Sequence, residues 1–503
     1  MADAQVFLVG AGPGHPGLIT LRAVECLASA DYVLYDRLVP LAILEHAPNG
    51  AEMVCVAELA PSHPDRCPLI HAAMIEAARQ GKRVVRLKGG DPCLFGRGAE
   101  EAEALRAAGI SYEFVPGVTS GLAVPECAGI PLTHRLLSSG VALVTGQEHP
   151  AKPENAVDWK KLASFPGTIV VYMGIARLQS IVDDLLAGGK SPHTPAAVVR
   201  WGSTNQQQTV TSTLRELPQV VQRAGIRAPA ITVIGEVVSL RQDLEWFEKR
   251  PLFGKKVLVT RPRAQAGDMI RRLERLGAQV VAMPTVEIAD PADWSPVDRA
   301  LQNLHDFQWL VFTSANGVRA FMQRLRHLQL DLRCLGHVKL ATIGPITAEA
   351  LRTYHLESDL IPAEYRSETL AADLKSKVAG QRVLLARADR GRDLLQEELS
   401  GIAKVEQIAI YSQRDSLLDA AALDNLFGKN AVDMVTLTSS NIARALFRNL
   451  SPVQLGAIRD RRVQLVSISP VTSQAIREFD LPVSAEAKEY TTAGVIEAIL
   501  NMG

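Results

Sequence analysis

Three turns in the first half of this 503-residue chain combine glycine with isolated charged or hydroxyl side chains. Gly10-Ala-Gly-Pro-Gly-His-Pro-Gly17 satisfies G-x-G-x-x-G when read from Gly12, and Asp36 follows about twenty residues on, the spacing of a dinucleotide site. Pro13 removes an N–H from the turn that would hold a pyrophosphate, and Pro16 stiffens the rest, so a nicotinamide-dependent enzyme is a rival reading only. In Leu87-Lys-Gly-Gly-Asp-Pro-Cys-Leu-Phe-Gly-Arg-Gly98, backbone at Gly89 and Gly90 can approach a ligand closely, and Asp91 can accept from hydroxyls or an amine. Val115-Pro-Gly-Val-Thr-Ser-Gly121 leads into a helix, and Pro131-Leu-Thr-His-Arg135 closes the segment. Each alone reads as a tight turn; together and in this order they are specific.

In the second half, hydroxyls carry the chemistry. Phe312-Thr-Ser-Ala-Asn316 recurs as Leu437-Thr-Ser-Ser-Asn441, and Ile343-Gly-Pro-Ile-Thr-Ala-Glu-Ala-Leu351 as Ile468-Ser-Pro-Val-Thr-Ser-Gln-Ala-Ile476, both shifted by 125. Val257-Leu-Val-Thr-Arg261 recurs as Val383-Leu-Leu-Ala-Arg387, shifted by 126. Near-constant offsets imply two similar domains. In each, a strand ends in a hydroxyl-bearing loop that opens a helix, where free N–H groups collect. One such loop is as well explained by ordinary capping; four in related domains point to a shared anion-binding cleft. His63, Cys67 and His71 are spaced by four like a metal face, but Pro64 and Pro68 interrupt a helix that would align them, so no metal is expected.

These residues need elements to hold them. Val6–Gly10, Tyr32–Tyr35, Met53–Val56 and Val84–Leu87 read as strands, with helical spacing over Leu18–Ala28 and Leu69–Arg79 between them. Alternation of this kind predicts a largely parallel, covered sheet. A second lobe follows Pro131–Arg135 with strands Val141–Thr145, Thr168–Tyr172, Ala196–Trp201 and Ala230–Ile234. A charged stretch ending in Pro251 and Gly254 reads as a short, stiff linker (246–254) before the strand Lys256–Thr260. Lys plus Arg and Asp plus Glu both number 54, and aromatics are 5%, which argues against a nucleic-acid or polybasic membrane partner. The six cysteines form no C-x-x-C pair, and nothing resembles a signal peptide or a membrane span; a cytoplasmic, reducing location is expected.

Residues 5–245 resemble the uroporphyrinogen-III C-methyltransferase branch of the tetrapyrrole methylases through VGAGPG, DYVLYDRLV, VVRLKGGDP-x-x-FGRG-x-E, VPGVTS, GIPLTHR, VYMG and PAITVIGEVV. Residues 255–500 resemble uroporphyrinogen-III synthase through VLVTRP, VFTSANGV, IGPITAEAL, PAEYRSETL and the second TSSN. The resemblance implies an α/β chain: a two-lobed tetrapyrrole methylase fold (lobes about 1–136 and 137–245), then a pair of similar α/β domains joined by two chain crossings. One of these domains would combine 255–289 with 412–503; the other would be inserted as 290–411.

It further implies S-adenosylmethionine as cofactor, spent as S-adenosylhomocysteine, with Pro13, Gly89, Gly90, Asp91, Leu94, Thr119, Ser120, Met173, Gly202 and Ala230 at the contacting positions. The methyl acceptor would be a pyrrole carbon of uroporphyrinogen III. Asp36 and Arg97 are candidates for handling the proton then lost, and Arg135 for clamping a substrate carboxylate. Where the branch carries a Lys, Glu58 stands here: either that Lys is dispensable, Glu58 takes over, or methylation is impaired. The second half would cyclise hydroxymethylbilane with inversion of the last ring. Tyr411 would assist departure of the hydroxyl, and Arg261, Ser314, Thr347, Arg387, Ser439 and Thr472 would line the cleft. Two methylations would then give precorrin-2, for sirohaem or cobalamin. A homodimer through the methyltransferase half is also implied.

Overall fold

The computed structural model describes residues 5–59, 67–147, 157–390, 393–428 and 431–502, which form two compact units, Met1–Gly254 and Lys255–Gly503. Each is built from two five-stranded sheets. In the first unit β1 (Val6–Gly10), β2 (Tyr32–Tyr35), β3 (Glu52–Cys55), β4 (Val84–Lys88) and β5 (Tyr112–Val115) form a sheet of order β3-β2-β4-β1-β5. All its pairings are parallel. β1 and β4 are buried along their whole length, which is why β1 reads as a continuous apolar run, while β4 carries Arg86 and Lys88 on one covered face.

The second lobe departs from the parallel pattern. β6 (Val141–Thr145), β7 (Thr168–Tyr172), β8 (Pro195–Arg200), β9 (Gln208–Thr213) and β10 (Ala230–Ile234) take the order β6-β7-β10-β8-β9. Only β6 and β7 pair in parallel; the β7–β10, β10–β8 and β8–β9 pairs are antiparallel. The polar-alternating edge strand Gln208-Thr-Val-Thr-Ser-Thr213 supplies a half-solvated edge, which antiparallel sheets tolerate.

The presumed linker is also different. Phe247 and Leu252 are buried, Trp246 donates its Nε1–H to the Glu126 carbonyl, and Glu248 accepts from Gln207 and Thr209. Apolar side chains spaced through that stretch give it a core to join, so Trp246–Gly254 folds onto the first unit.

In the second unit, β11 (Lys256–Val259), β12 (Gln279–Ala282), β13 (Val286–Ala289), β14 (Trp309–Phe312), β15 (Lys339–Thr342), β16 (Arg382–Ala388), β17 (Lys404–Asp415), β18 (Met434–Leu437), β19 (Gln464–Ser467) and β20 (Ala485–Glu486) form two sheets. Their orders are β12-β11-β18-β19-β20 and β13-β17-β16-β14-β15. Val286–Ala289 pairs antiparallel with the end of β17, so this segment lies in the second sheet and not with 255–282. Its first residue faces Asp415, at the C-terminal end of β17. The chain therefore leaves one sheet at the ends of its parallel strands and enters the other at the same kind of edge. No helix among the described residues is long and apolar enough to cross a membrane.

Candidate active sites of the two units

The first glycine-rich turn does not hold a phosphate in the way its fingerprint suggests. The Gly12 N–H donates to the Gly90 carbonyl at 3.1 Å, Gly90 returns the bond at 2.8 Å, and the Gly17 N–H is taken by His15 Nδ1 at 3.0 Å. Burial, then Arg250, pushes the His15 imidazole down from its ordinary range, which keeps that nitrogen an acceptor. A short 3-10 turn, Pro16–Leu18, follows, and the helix begins only at Leu21. The Gly12 and Gly17 donors of a dinucleotide seat are thus spent inside the protein.

What forms instead is a backbone cradle at the ends of β1, β4 and β5. A Cβ added to Gly117 would lie 2.3 Å from the Gly90 oxygen, and one on Gly10 would lie 2.6 Å from both that oxygen and the Gly117 Cα. Only glycine permits this approach. Asp91 sits at its rim, but its carboxylate accepts from the backbone N–H groups of Cys93, Leu94 and Gly117 at 2.8, 3.0 and 3.2 Å, so it shapes the loop rather than waiting for a ligand.

From the other lobe, the Tyr172 hydroxyl meets Thr119 Oγ1 at 2.7 Å and accepts the Gly121 N–H at 2.8 Å. This locks the helix Ser120–Cys127 to β7. Leu94 packs against the same lobe's core, a Cβ on Gly202 would lie 2.3 Å from Val124, and Ala230 pairs with Arg200. Gly90, Asp91, Leu94, Thr119, Ser120 and Gly202 thus lie around the start of one helix, with Pro13, Gly89 and Met173 their neighbours along the chain, whereas the Ala230 side chain, predicted at the same site, packs into the core on the other face of its sheet. Phe95, Arg97, Met173, Trp201 and Ser203 all hold positive φ there, a local strain of roughly 1–3 kcal/mol each that clusters at working sites.

In the second unit the four hydroxyl-bearing loops lie at the C-terminal edges of their strands. Ser314, Ser439 and Ser469 cap the helices Ala315–His327, Ser440–Arg448 and Pro470–Arg477, accepting backbone N–H groups at 3.0, 3.2 and 3.4 Å. Ser314 Oγ also meets the Tyr411 hydroxyl at 3.0 Å, and burial pushes the Tyr411 phenol up, so it stays a protonated donor. Asn441 donates to Gln413 at 2.9 Å, tying the β18 edge to β17.

Arg261 bonds Thr492 at 2.8 Å and Gln265 at 3.3 Å but has no carboxylate partner among the described residues, and desolvation alone pushes its guanidinium down. A desolvated cation without a counter-charge fits an anionic ligand.

Residues 5–218 match the family model for tetrapyrrole (corrin/porphyrin) methylases, and residues 267–497 that for uroporphyrinogen-III synthase. A porphyrin biosynthesis protein HemD of Ruminiclostridium josui is 33% identical over all of this chain and 99% of its own length. The chain belongs to this fused methylase–synthase family. A uroporphyrinogen-III C-methyltransferase of Bacillus subtilis is 39% identical over 67% of this chain and 68% of its own. An S-adenosyl-L-methionine-dependent uroporphyrinogen III methyltransferase of Methanosarcina barkeri is 46% identical over 48% of this chain and 94% of its own.

In the methylase unit, Asp36 is partly exposed and paired with Arg86 at 2.6 Å. Arg97, left-handed at φ 61° and half exposed, lies 3.6 Å from Glu100. Arg135 is exposed with no ion-pair partner among the described residues. Glu58 is exposed on the turn Val56–Leu59 after β3, whose last residue pairs with Tyr35 beside Asp36. Pro68 does not break the metal-like spacing: it sits in the first turn of the helix Cys67–Arg79, where its missing N–H costs nothing, and His71 follows Cys67 by one turn. His63 lies outside the described residues, among which no three metal-binding side chains cluster.

In the synthase unit, Arg387 is not offered to a cleft. It falls on a covered face of β16, where it donates to Asp393 at 3.0 Å and Gln407 at 3.2 Å. Thr347 and Thr472 are 4% and 2% exposed, because the first turn of each helix rotates them inward; the preceding Ile346 and Val471, 55% and 45% exposed, present their side chains instead. Sequence reading missed Tyr172 and the buried trio Arg86, Lys88 and Glu101. The signal for the trio was there: two cations at i and i+2 in a fully covered strand demand a buried counter-charge.

Proposed function

We propose that the synthase unit closes hydroxymethylbilane to uroporphyrinogen III and that the methylase unit then transfers two methyl groups to it, giving precorrin-2 for sirohaem or cobalamin. One observation carries the reading: each unit gathers, at the C-terminal edge of its parallel strands, the groups its own chemistry requires. The Cβ-free cradle of Gly10, Gly90 and Gly117, with Thr119 packed against Gly90, fits a compact ligand held by backbone, and Pro13 and Met173 are proposed to complete the seat. S-adenosylmethionine bound there supplies an electrophilic methyl group. The cleft aligns the acceptor carbon, which is most of what such a transfer needs. Asp36, with one oxygen held by Arg86, takes the proton lost from the pyrrole ring on the other, and Arg135 holds a substrate carboxylate.

In the synthase unit the Tyr411 phenol donates to the departing hydroxyl, and Arg261 neutralises a carboxylate. The phenol needs no change of charge to do so. The methylase half is proposed to pair with a second copy. Incubating the purified chain with hydroxymethylbilane and S-adenosylmethionine should produce the precorrin-2 spectrum; uroporphyrinogen I alone, or no methylated product, refutes the reading.

A further inference from the structure

Four charged groups of the methylase unit form one connected cluster. Arg86 Nη2 donates to Asp36 Oδ1 at 2.6 Å, Arg86 Nε to Glu101 Oε1 at 2.9 Å, and Lys88 Nζ to the same Glu101 oxygen at 2.7 Å. Arg86 Nη1 reaches the carbonyls of Leu34 and Leu87 at 3.4 and 3.2 Å, so the guanidinium plane is fixed between β2 and β4. The side chains of Arg86, Lys88 and Glu101 are 3%, 4% and 5% exposed, whereas that of Asp36 is 31% exposed. The cluster is neutral as a whole and opens to solvent chiefly through Asp36.

It is poorly built for stability. Glu101 Oε2 is buried with no hydrogen-bond partner, while two cations crowd its other oxygen. Buried ion groups of this kind are often no more stabilising than apolar replacements, and an orphaned carboxylate oxygen adds cost. Burial, then the neighbouring Arg86, pushes the Lys88 ammonium down, a second sign that the arrangement is held against its own electrostatics.

We infer that Arg86, clamped by Glu101 with Lys88 behind it, is a positioning residue for methyl transfer: it fixes the Asp36 carboxylate at the cleft mouth with one oxygen occupied and the other aimed outward. The inference rests on the reading of Asp36 as the proton acceptor. Lys88 has no direct bond to Asp36, so its part is to hold Glu101, and through it the guanidinium plane.

The test uses the full chain and measures methyl transfer to uroporphyrinogen III together with S-adenosylhomocysteine binding. Asp36→Asn should slow turnover by about 100-fold, the scale of a lost acid–base group. Arg86→Met should lower kcat by roughly 10-fold or more, with KM for uroporphyrinogen III and by-product affinity within about threefold; placed on top of Asp36→Asn it should add less than about threefold. Arg86→Lys, which keeps the charge without the fork, should recover part of the loss and decides the matter if Arg86→Met does not fold. Full activity of both Arg86 variants beside a slow Asp36→Asn overturns the positioning role alone. So does an Arg86→Met or Arg86→Lys loss that is equally large with and without Asp36. A parental rate in Asp36→Asn overturns the reading of Asp36 and this inference with it.

Discussion

The edges at which the two units gather their functional groups are made differently. In the methylase unit the edge is backbone against backbone: Gly10 and Gly117 approach each other and the Gly90 carbonyl to distances that no Cβ could share, and the Tyr172 hydroxyl closes on a fourth glycine, Gly121. In the synthase unit the edge is made of side-chain hydroxyls on helix caps, where Ser, Thr, Asn and Asp are nearly interchangeable. A site made of excluded volume tolerates almost no substitution, whereas a site made of caps tolerates many. The methylase motifs are correspondingly sharp and the synthase motifs loose.

That contrast can be broken by experiment. Gly117→Ala should be the most damaging single methyl group: with its Cβ 2.3 Å from the Gly90 oxygen, strands or loop must shift, at a cost of about 1–3 kcal/mol or more, and S-adenosylhomocysteine binding should fall at least ~100-fold. Calorimetry showing near-parental affinity would mean that the cradle is not the ligand seat.

Tyr411→Phe should slow cyclisation by roughly 10- to 100-fold while methyl transfer stays intact, since it removes the one protonated phenol beside Ser314. Unchanged cyclisation kinetics would return Tyr411 to a packing role. Arg261→Gln should raise KM for hydroxymethylbilane by about 10-fold with little loss of melting temperature, because the cation has no carboxylate to abandon among the described residues. A large stability loss without a KM effect would count against the anion role. Ser439→Ala should cost about 1 kcal/mol in urea denaturation, as for any lost cap, and change cyclisation least of all. If Ser439→Ala proves as harmful as Gly117→Ala, the contrast between the two edges is wrong.

The glycine turns were legible because the sequence names the residue that sterics demand. Strand positions in the first lobe were legible too, since β1 is apolar on both faces and β4 presents Val84-Val85 and Leu87 in a short run. The antiparallel pairing of the second lobe was not, because β8 and β10 carry the same apolar run whichever way they are paired. Nor was the fate of the turn residues: Asp91 turned to its own loop, Arg387 to Asp393, and Thr347 and Thr472 to the interior.

By itself the sequence determined where the backbone must bend and where hydroxyls open helices, since those constraints act within a few residues. Tertiary structure alone decided which charges are spent and which are offered. Asp36 finds Arg86 across 50 residues, while Arg261 finds no counter-charge among the described residues. Desolvation and ion pairing depend on what the whole fold brings within a few ångströms, and local spacing does not encode that.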